Sequence, residues 1–389
     1  MKERTFSPVA VVPCRDYSET ACRAAIAGLA EKCPALREIP AGAKVVIKVN
    51  LITLMKPEKA ATTNPALLSA LVEYLCARGA EVIIGDSPGG VYNKAYLEGV
   101  YRATGMTEAV GAGASLNWDF STATAKFPDG AAAREFEYTA YLDSADLIIN
   151  FCKLKTHGMM TMSCAVKNMF GVIPGLTKPA YHYRFPDYRA FADMLIDLNE
   201  YFRPVLNIAD AVIGMEGNGP TMGTPREIGA VLASESPYTL DLICAKLIGL
   251  GVSDVPTLAA AAERGLAPRS AEEVTVLGSA EPFIVPDYQT ASGEQELELF
   301  VSMDNAFGRA ANRVAKRILA VRPVLVGAKC AGCGKCAGLC PAHAITMEKH
   351  KPKIDRQKCI RCFCCQELCP VGALEAKRSK LGDLILKRK

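Results

Sequence analysis

An α/β domain built on a mostly parallel sheet, followed by a small cysteine-rich α+β module, is the architecture this 389-residue sequence predicts. Three observations lead there. Short apolar runs alternate with longer amphipathic ones through roughly the first 300 residues. Those apolar runs are continuous, as strands covered by helices on both faces require. Finally, nine of the sixteen cysteines fall between Cys330 and Cys369, where the composition changes character.

Residues 44–49 (KVVIKV) read as the first strand. Residues 64–77 follow as a helix, with Asn64 as N-cap and Pro65 in the first turn, where its missing N–H costs nothing. Gly79 ends that helix, and residues 81–85 (EVIIG) form the next strand. Further strands are expected at 146–151 (DLIINF), 204–209 (PVLNIA), 227–233 and 273–277, and helices at 161–170 and 239–250. Residues 305–321 read as a helix bearing Arg309, Arg313, Lys316 and Arg317, closed by Arg322-Pro323. The expected organisation is therefore an α/β domain (1–302), a basic helical connector (303–325), the cysteine module (326–378) and a basic tail (379–389).

Half the residues are hydrophobic and 22% are charged, which is ordinary globular composition. A formal charge of +4 is too small to argue for nucleic acid or a membrane surface as partner. No stretch approaches ~18 uninterrupted apolar residues, so no membrane span is expected, and the N-terminus lacks a secretory apolar run. Cys14, Cys22, Cys33, Cys76, Cys152, Cys164 and Cys244 are scattered, as reduced core thiols are. These features point to a reducing, cytoplasmic setting.

Cys330, Cys333, Cys336 and Cys340 form C-x2-C-x2-C-x3-C followed by Pro341, and Cys359, Cys362, Cys365 and Cys369 repeat it before Pro370. Each member is displaced by 29 residues from its counterpart, and the offset extends to Ile345 and Leu374. This is an internal duplication. Three thiolates at such spacing wrap one face of a cubane, and the fourth ligand comes from the other half. One [4Fe–4S] cluster is thus assigned to Cys330, Cys333, Cys336 and Cys369, and a second to Cys359, Cys362, Cys365 and Cys340. The alternative, paired zinc sites, uses two C-x2-C pairs across a long loop rather than this doubled pattern. Cys364 falls outside the register and is read as a spare thiol. Residues 344–348 and 353–355 are expected to pair around a turn at His350-Lys351-Pro352, with His343 and His350 as surface or turn residues. Over about 50 residues the module resembles bacterial two-cluster ferredoxins.

Ligands of open α/β sheets gather beyond the carboxyl ends of strands. Asn50 follows the first strand and Asp86-Ser87-Pro88-Gly89-Gly90 the second. Lys153, Lys155, Thr156 and His157 follow DLIINF, and Asp210, Glu216 and Asn218 follow PVLNIA in a Gly-rich loop. On the 161–170 helix, Cys164, Lys167 and Asn168 share a face by i, i+3, i+4 spacing. His182 comes shortly after Pro174-Gly175, and with His157 it completes the large domain's histidines. Any one of these residues alone is better explained as a turn former or solvated charge. Their convergence favours an anion site, with His157 and Lys167 as catalytic candidates and Lys153, Lys155, Asn168, Asp86, His182 and Glu216 as substrate-binding ones.

Other patterns carry nothing. Gly85-Asp86-Ser87-Pro88-Gly89 mimics a nucleophile elbow, but Pro88 has no N–H for an oxyanion. No G-x-G-x-x-G joins the opening strand to its helix, so a nicotinamide cofactor is not indicated. Cys152 and Cys164 flank His157 and read as buried thiols rather than a metal site.

The runs KLKTHGMMTMSCAVKNMFGVIPG (153–175), DSPGG (86–90) and DAVIGMEGNGP (210–220) resemble the domain-of-unknown-function family 362, whose members often end in a two-cluster ferredoxin domain. The resemblance implies an iron–sulfur redox role without a settled reaction. The expected function is electron transfer with a redox partner protein or small-molecule acceptor. The alternative is a reductase whose α/β domain binds an anionic organic molecule fed by the clusters.

Overall fold

The computed structural model describes residues 5–111, 113–290 and 320–377. The chain opens with β1 (Val9–Pro13), β2 (Lys44–Lys48), β3 (Glu81–Gly85) and β4 (Ala114–Leu116). A separate hairpin, β5 (Thr122–Lys126) and β6 (Glu135–Thr139), precedes β7 (Leu147–His157) and β8 (Thr161–Ser163). The large domain is completed by β9 (Leu206–Glu216), β10 (Thr224–Ser234) and β11 (Val276–Leu277). The main sheet runs β11-β1-β10-β9-β7-β2-β3-β4, with β8 on β7. Strands β9, β7, β2, β3 and β4 are mutually parallel, whereas β10 runs against both neighbours. The sheet is mostly parallel, as its continuous apolar strands predict.

Successive side chains of a strand point to opposite faces, so both faces need cover. Val45 and Ile47 join the layer formed with helices Glu19–Lys32, Pro65–Cys76 and Lys94–Thr104, through Leu29, Leu71 and Tyr101. Val46 instead joins Phe191 and Leu195 of helix Tyr188–Phe202. Helix Pro237–Leu247 packs further along that face against Leu154 and Ala209. Asn64 caps its helix as expected, accepting the Ala66 N–H at 2.9 Å.

The strand expected at 273–277 shrinks to Val276–Leu277 behind a 3₁₀ turn at Ala271–Glu273, and three elements nearer the strand ends depart further from expectation. The strands expected at 146–151 and 204–209 run on to His157 and Glu216. Each extension is held in the ladder by a hairpin partner, β8 and β10 respectively. Of the polar residues expected to follow these strands, all but Asn218 therefore sit within them. The helix expected at 161–170 breaks into β8, one turn at Ala165–Asn168 and a 3₁₀ turn at Met169–Val172. Residues 161–163 pair with β7, and the Asp241 carboxylate takes the Ala165 and Val166 N–H groups, so the helix can begin only there.

In the small module, β12 (Arg322–Leu325) pairs with β15 (Leu374–Lys377), and β13 (Ile345–Glu348) with β14 (Lys351–Ile354). Residues 322–325 thus belong to the module rather than to the expected connector, whose residues 303–319 lie outside the described residues, as do residue 378 and the tail 379–389. The β13–β14 turn is Lys349-His350, both at positive φ, so Lys351 and Pro352 lie in the strand rather than in the turn. Among the described residues, no helix is long and apolar enough to cross a membrane.

Candidate functional site

Folding of the duplicated module brings the eight in-register cysteines into two separate rings. Cys330, Cys333, Cys336 and Cys369 line one cavity of about 340 Å³, and Cys340, Cys359, Cys362 and Cys365 line another of about 330 Å³. Each ring draws its fourth cysteine from the other half, as the crossed ligation requires. The fourth cysteines accept matched backbone hydrogen bonds, Ala344 N–H to Cys340 Sγ at 3.3 Å and Ala373 N–H to Cys369 Sγ at 3.2 Å. Such N–H···S bonds favour thiolate ligands. Among the described residues no three His, Cys, Asp or Glu side chains converge as a single metal ion demands. Rings of soft thiolates around open space suit an iron–sulfur cubane instead.

The two rings differ in surroundings. Cys333 of the first is exposed, while Cys362 and Cys365 of the second are buried, with Cys364 between them. The large domain covers part of the second half, while Cys365 packs in the module's own core with Ile345 and Leu374. Gln366 donates through Nε2 to Asn218 Oδ1 (3.0 Å) and to the Gly219 carbonyl (3.1 Å). Asn218 Oδ1 also accepts the Ala376 N–H at 3.2 Å, and Thr221 donates to the Glu367 carbonyl at 3.3 Å. Packing is close enough that a Cβ on Gly89 would stand 2.6 Å from Leu368.

Between the two units lies a cavity of about 740 Å³, counting its open mouth. The large domain contributes Lys48, Asn50, Asp86, Lys155, His157, Lys167, Asn168, Lys178 and His182, and the module contributes Cys364, Glu367 and Leu368. Cys364 also borders the second cysteine ring, so one side chain separates the cavity from that ring.

Most of the cavity's charges are already committed. Lys48 pairs with Asp86 at 2.7 Å and donates to Asn168 Oδ1 at 3.1 Å. Gly171 has to be glycine here, because a Cβ would collide with both Asp86 and Lys48. Lys155 donates to Asn50 Oδ1 (2.6 Å) and the Ala61 carbonyl (2.5 Å), and Lys178 to the carbonyls of Ser87 and Ile173. Lys167 differs. Its ammonium lies over the Phe170 ring at 4.8 Å and has no hydrogen-bond acceptor among the described residues. Burial lowers the pKa of every one of these lysines, Lys178 to about 7.

His157 Nδ1 accepts the Met159 and Met160 N–H groups, both at 3.1 Å, so the ring proton sits on Nε2. Nε2 lies 2.7 Å from Glu367 Oε1, a contact not aligned as a full hydrogen bond. Burial, then Lys167, lowers the His157 pKa and keeps the ring neutral. Burial would raise Glu367, but His157 and Lys167 outweigh it and hold the carboxyl at about 2. His182 stacks on Phe191 with centroids 4.3 Å apart, and its Nδ1 is buried without a partner. Burial, then Lys167, takes its pKa down to about 3.

Six of the eight residues expected at a site line this cavity: Asp86, Lys155, His157, Lys167, Asn168 and His182. Lys153 and Glu216 do not. Lys153 is consumed by Asp210 at 2.9 Å and the Tyr17 hydroxyl at 2.6 Å, and Glu216 accepts the Gln289 N–H at 3.0 Å. Cys164 also turns away, its Sγ 3.4 Å from that of Cys152. Lys48, Lys178 and Glu367 were missed. A lysine inside the apolar run KVVIKV is a signal for the first; nothing local to the sequence points to the other two.

Fold and site together define a two-unit iron–sulfur protein, in which a cysteine module closes a cationic cavity on an α/β domain. The chain belongs to the domain-of-unknown-function family 362: residues 45–246, just over half its length, match the family described as Domain of unknown function (DUF362). Residues 329–373 match the 4Fe-4S dicluster domain, so the module is a 4Fe-4S domain. A thylakoid-associated protein of Synechocystis sp. is 30% identical over 255 residues, spanning 64% of this chain and 76% of that protein. Among solved structures, the lactate racemase apoprotein of Thermoanaerobacterium thermosaccharolyticum is similar at a TM-score of 0.41 and 13% identity, covering 65% of this chain and 59% of that one.

Proposed function

We propose that this protein is an iron–sulfur reductase carrying two [4Fe–4S] clusters, which uses them to reduce an anionic organic molecule held between its two units. The observation that carries the reading is Cys364, which borders both the second cysteine ring and the cavity. When bound, each cluster supplies reversible one-electron storage. Contact through one side chain is well suited to moving electrons from that ring to a bound molecule.

The chain's own residues account for binding. Lys167, with no hydrogen-bond acceptor among the described residues, can pair with a carboxylate or phosphate oxygen, and the His157 Nε2–H and His182 lie in the same wall. Phe170 and Leu368 offer apolar contact for the organic part. A reducing cytoplasmic compartment belongs to this reading, since exposed cubanes and reduced thiols both need one.

The competing view, electron transfer with the cavity merely sensing a ligand, is separated by turnover. Dithionite-reduced protein should be reoxidised, anaerobically, by some members of a panel of unsaturated and keto carboxylates, followed by cluster absorbance. Lys167→Gln should abolish that reoxidation and leave the initial spectrum intact. Binding of the same acids without any reoxidation would favour the sensor.

A further inference from the structure

The two halves of the module face different things, and the first half's face has the make-up of a docking surface. Its ring borders solvent through the exposed Cys333. Met347 and Val371 line the same ring and are exposed at 36% and 44%, an apolar patch directly over the cysteine site. Cations surround it. Lys335 is in the ring's wall and exposed. Lys349 is at the tip of the β13–β14 turn, whose next residue, His350, packs against Gly332 of the cysteine loop. Neither lysine pairs with a carboxylate among the described residues. Lys351 caps the Gly327 and Cys330 carbonyls while remaining exposed. The acids nearby are already taken: Glu375 by Lys329 and Lys377, and Glu348 by Lys353.

We infer that this face is where a small acidic electron-carrier protein docks, passing electrons to the ring of Cys330, Cys333, Cys336 and Cys369. An apolar centre with a charged rim is how transient redox partners meet: charge steers and orients, while a small contact patch allows rapid release. The far ring is the less accessible of the two, because Cys362 and Cys365 are buried and none of its four cysteines is exposed. The carrier is the one-electron donor, so each encounter oxidises one carrier and reduces one cluster. This inference rests on the module's 4Fe-4S chemistry and holds whatever molecule the cavity accepts.

The test uses the cluster-loaded full chain and a purified acidic flavodoxin as probe, with two readouts: affinity by anaerobic titration calorimetry, and reduction by flavodoxin hydroquinone in stopped flow. Wild type should bind at low ionic strength and weaken steeply with added salt. The double variant Lys335→Glu/Lys349→Glu should lose about ten-fold or more in affinity and in second-order reduction rate, with a flattened salt dependence. Lys126→Glu, an equally exposed reversal on the β5 strand, controls for net charge and should change little. Measured iron content and cluster potential should match wild type, so that slower reduction is not a shifted potential. Equal binding by wild type and the double variant would overturn the inference, as would no binding at low salt. Salt-sensitive binding to phosphatidylglycerol vesicles, lost in the double variant while flavodoxin is ignored, would overturn it in favour of a membrane surface.

Discussion

The two halves of the duplicated module share one cysteine spacing and one backbone path, yet differ at almost every position between the ligands. Gly332 and Gly334 sit at positive φ in the first half, and Arg361 and Phe363, 29 residues on, hold the same conformation despite their side chains. A non-glycine residue accepts that cost only where something holds it in place. Phe363 is buried beside Gly158 of the large domain. The pattern continues: Lys335, Ala337 and Gly338 are replaced by Cys364, Gln366 and Glu367, the residues that border the cavity, bind the Gly219 loop and meet His157. Duplication preserved what the cubane needs. Divergence is concentrated where one copy touches the α/β domain.

The crossed rings give the largest expected effects. Cys369→Ala should remove the solvent-side cluster and leave the cavity-side one, halving iron from about eight to about four per chain. Cys340→Ala should do the converse, although each of these residues lies in the half whose other three cysteines form the opposite ring. Cys364→Ser should leave iron content unchanged. Anaerobic iron and sulfide analysis with electron paramagnetic resonance reads all three. Loss of the neighbouring cluster in sequence, rather than the crossed one, would break the comparison at its base.

Matched positions 338 and 367 provide a smaller and sharper test. Glu367→Ala strips a buried partner from His157 Nε2 and a counter-charge from Lys167, and should cost about 1–3 kcal/mol. Gly338→Ala, at the equivalent place in the solvent-side half, meets nothing within 4 Å and has an ordinary φ. It should be neutral or stabilising by about 0.5–1 kcal/mol. Anaerobic thermal melts of the loaded proteins compare the two. Equal destabilisation would mean the halves are not differently engaged.

Much of this contrast was legible in the sequence, and the part that was not has a physical cause. The cysteine spacing is local, and the structure places those eight thiols around two cavities in the expected groups of four. Strand positions were legible because both faces are buried and the runs are continuous. Strand ends were not, since whether β7 stops at Phe151 or reaches His157 depends on pairing with the distant β9 as well as with the Thr161–Ser163 hairpin. The same limit governs Lys153 and Lys155. They are two residues apart in one strand, yet one is neutralised by Asp210, remote in sequence, and the other lines the cavity. Glu367 was illegible for a related reason, because its role exists only once the module is seated.

A last comparison, read as a difference that grows gradually as pH falls, tests whether the cavity half is as dry as its packing implies. His182 has its pKa near 3 in the folded chain, below the ordinary 6.5. Between those values the unfolded chain binds a proton that the folded chain refuses, so stability rises with pH across the window. Its contribution is complete above pH 6.5 and drains away as pH falls toward 3. His182→Phe keeps an aromatic ring against Phe191 and removes the titration. Acid damage to the clusters burdens both proteins, so the difference between them isolates the histidine. The variant's melting temperature should therefore gain on wild type steadily as pH drops below 6.5, by the equivalent of up to about 1.4 kcal/mol per pH unit. A constant difference across the range would mean that His182 protonates freely in the folded state. The cavity would then be wet at its aromatic wall, and the contrast between a solvent-facing half and a sheltered one would fail at the point where reduction is proposed to occur.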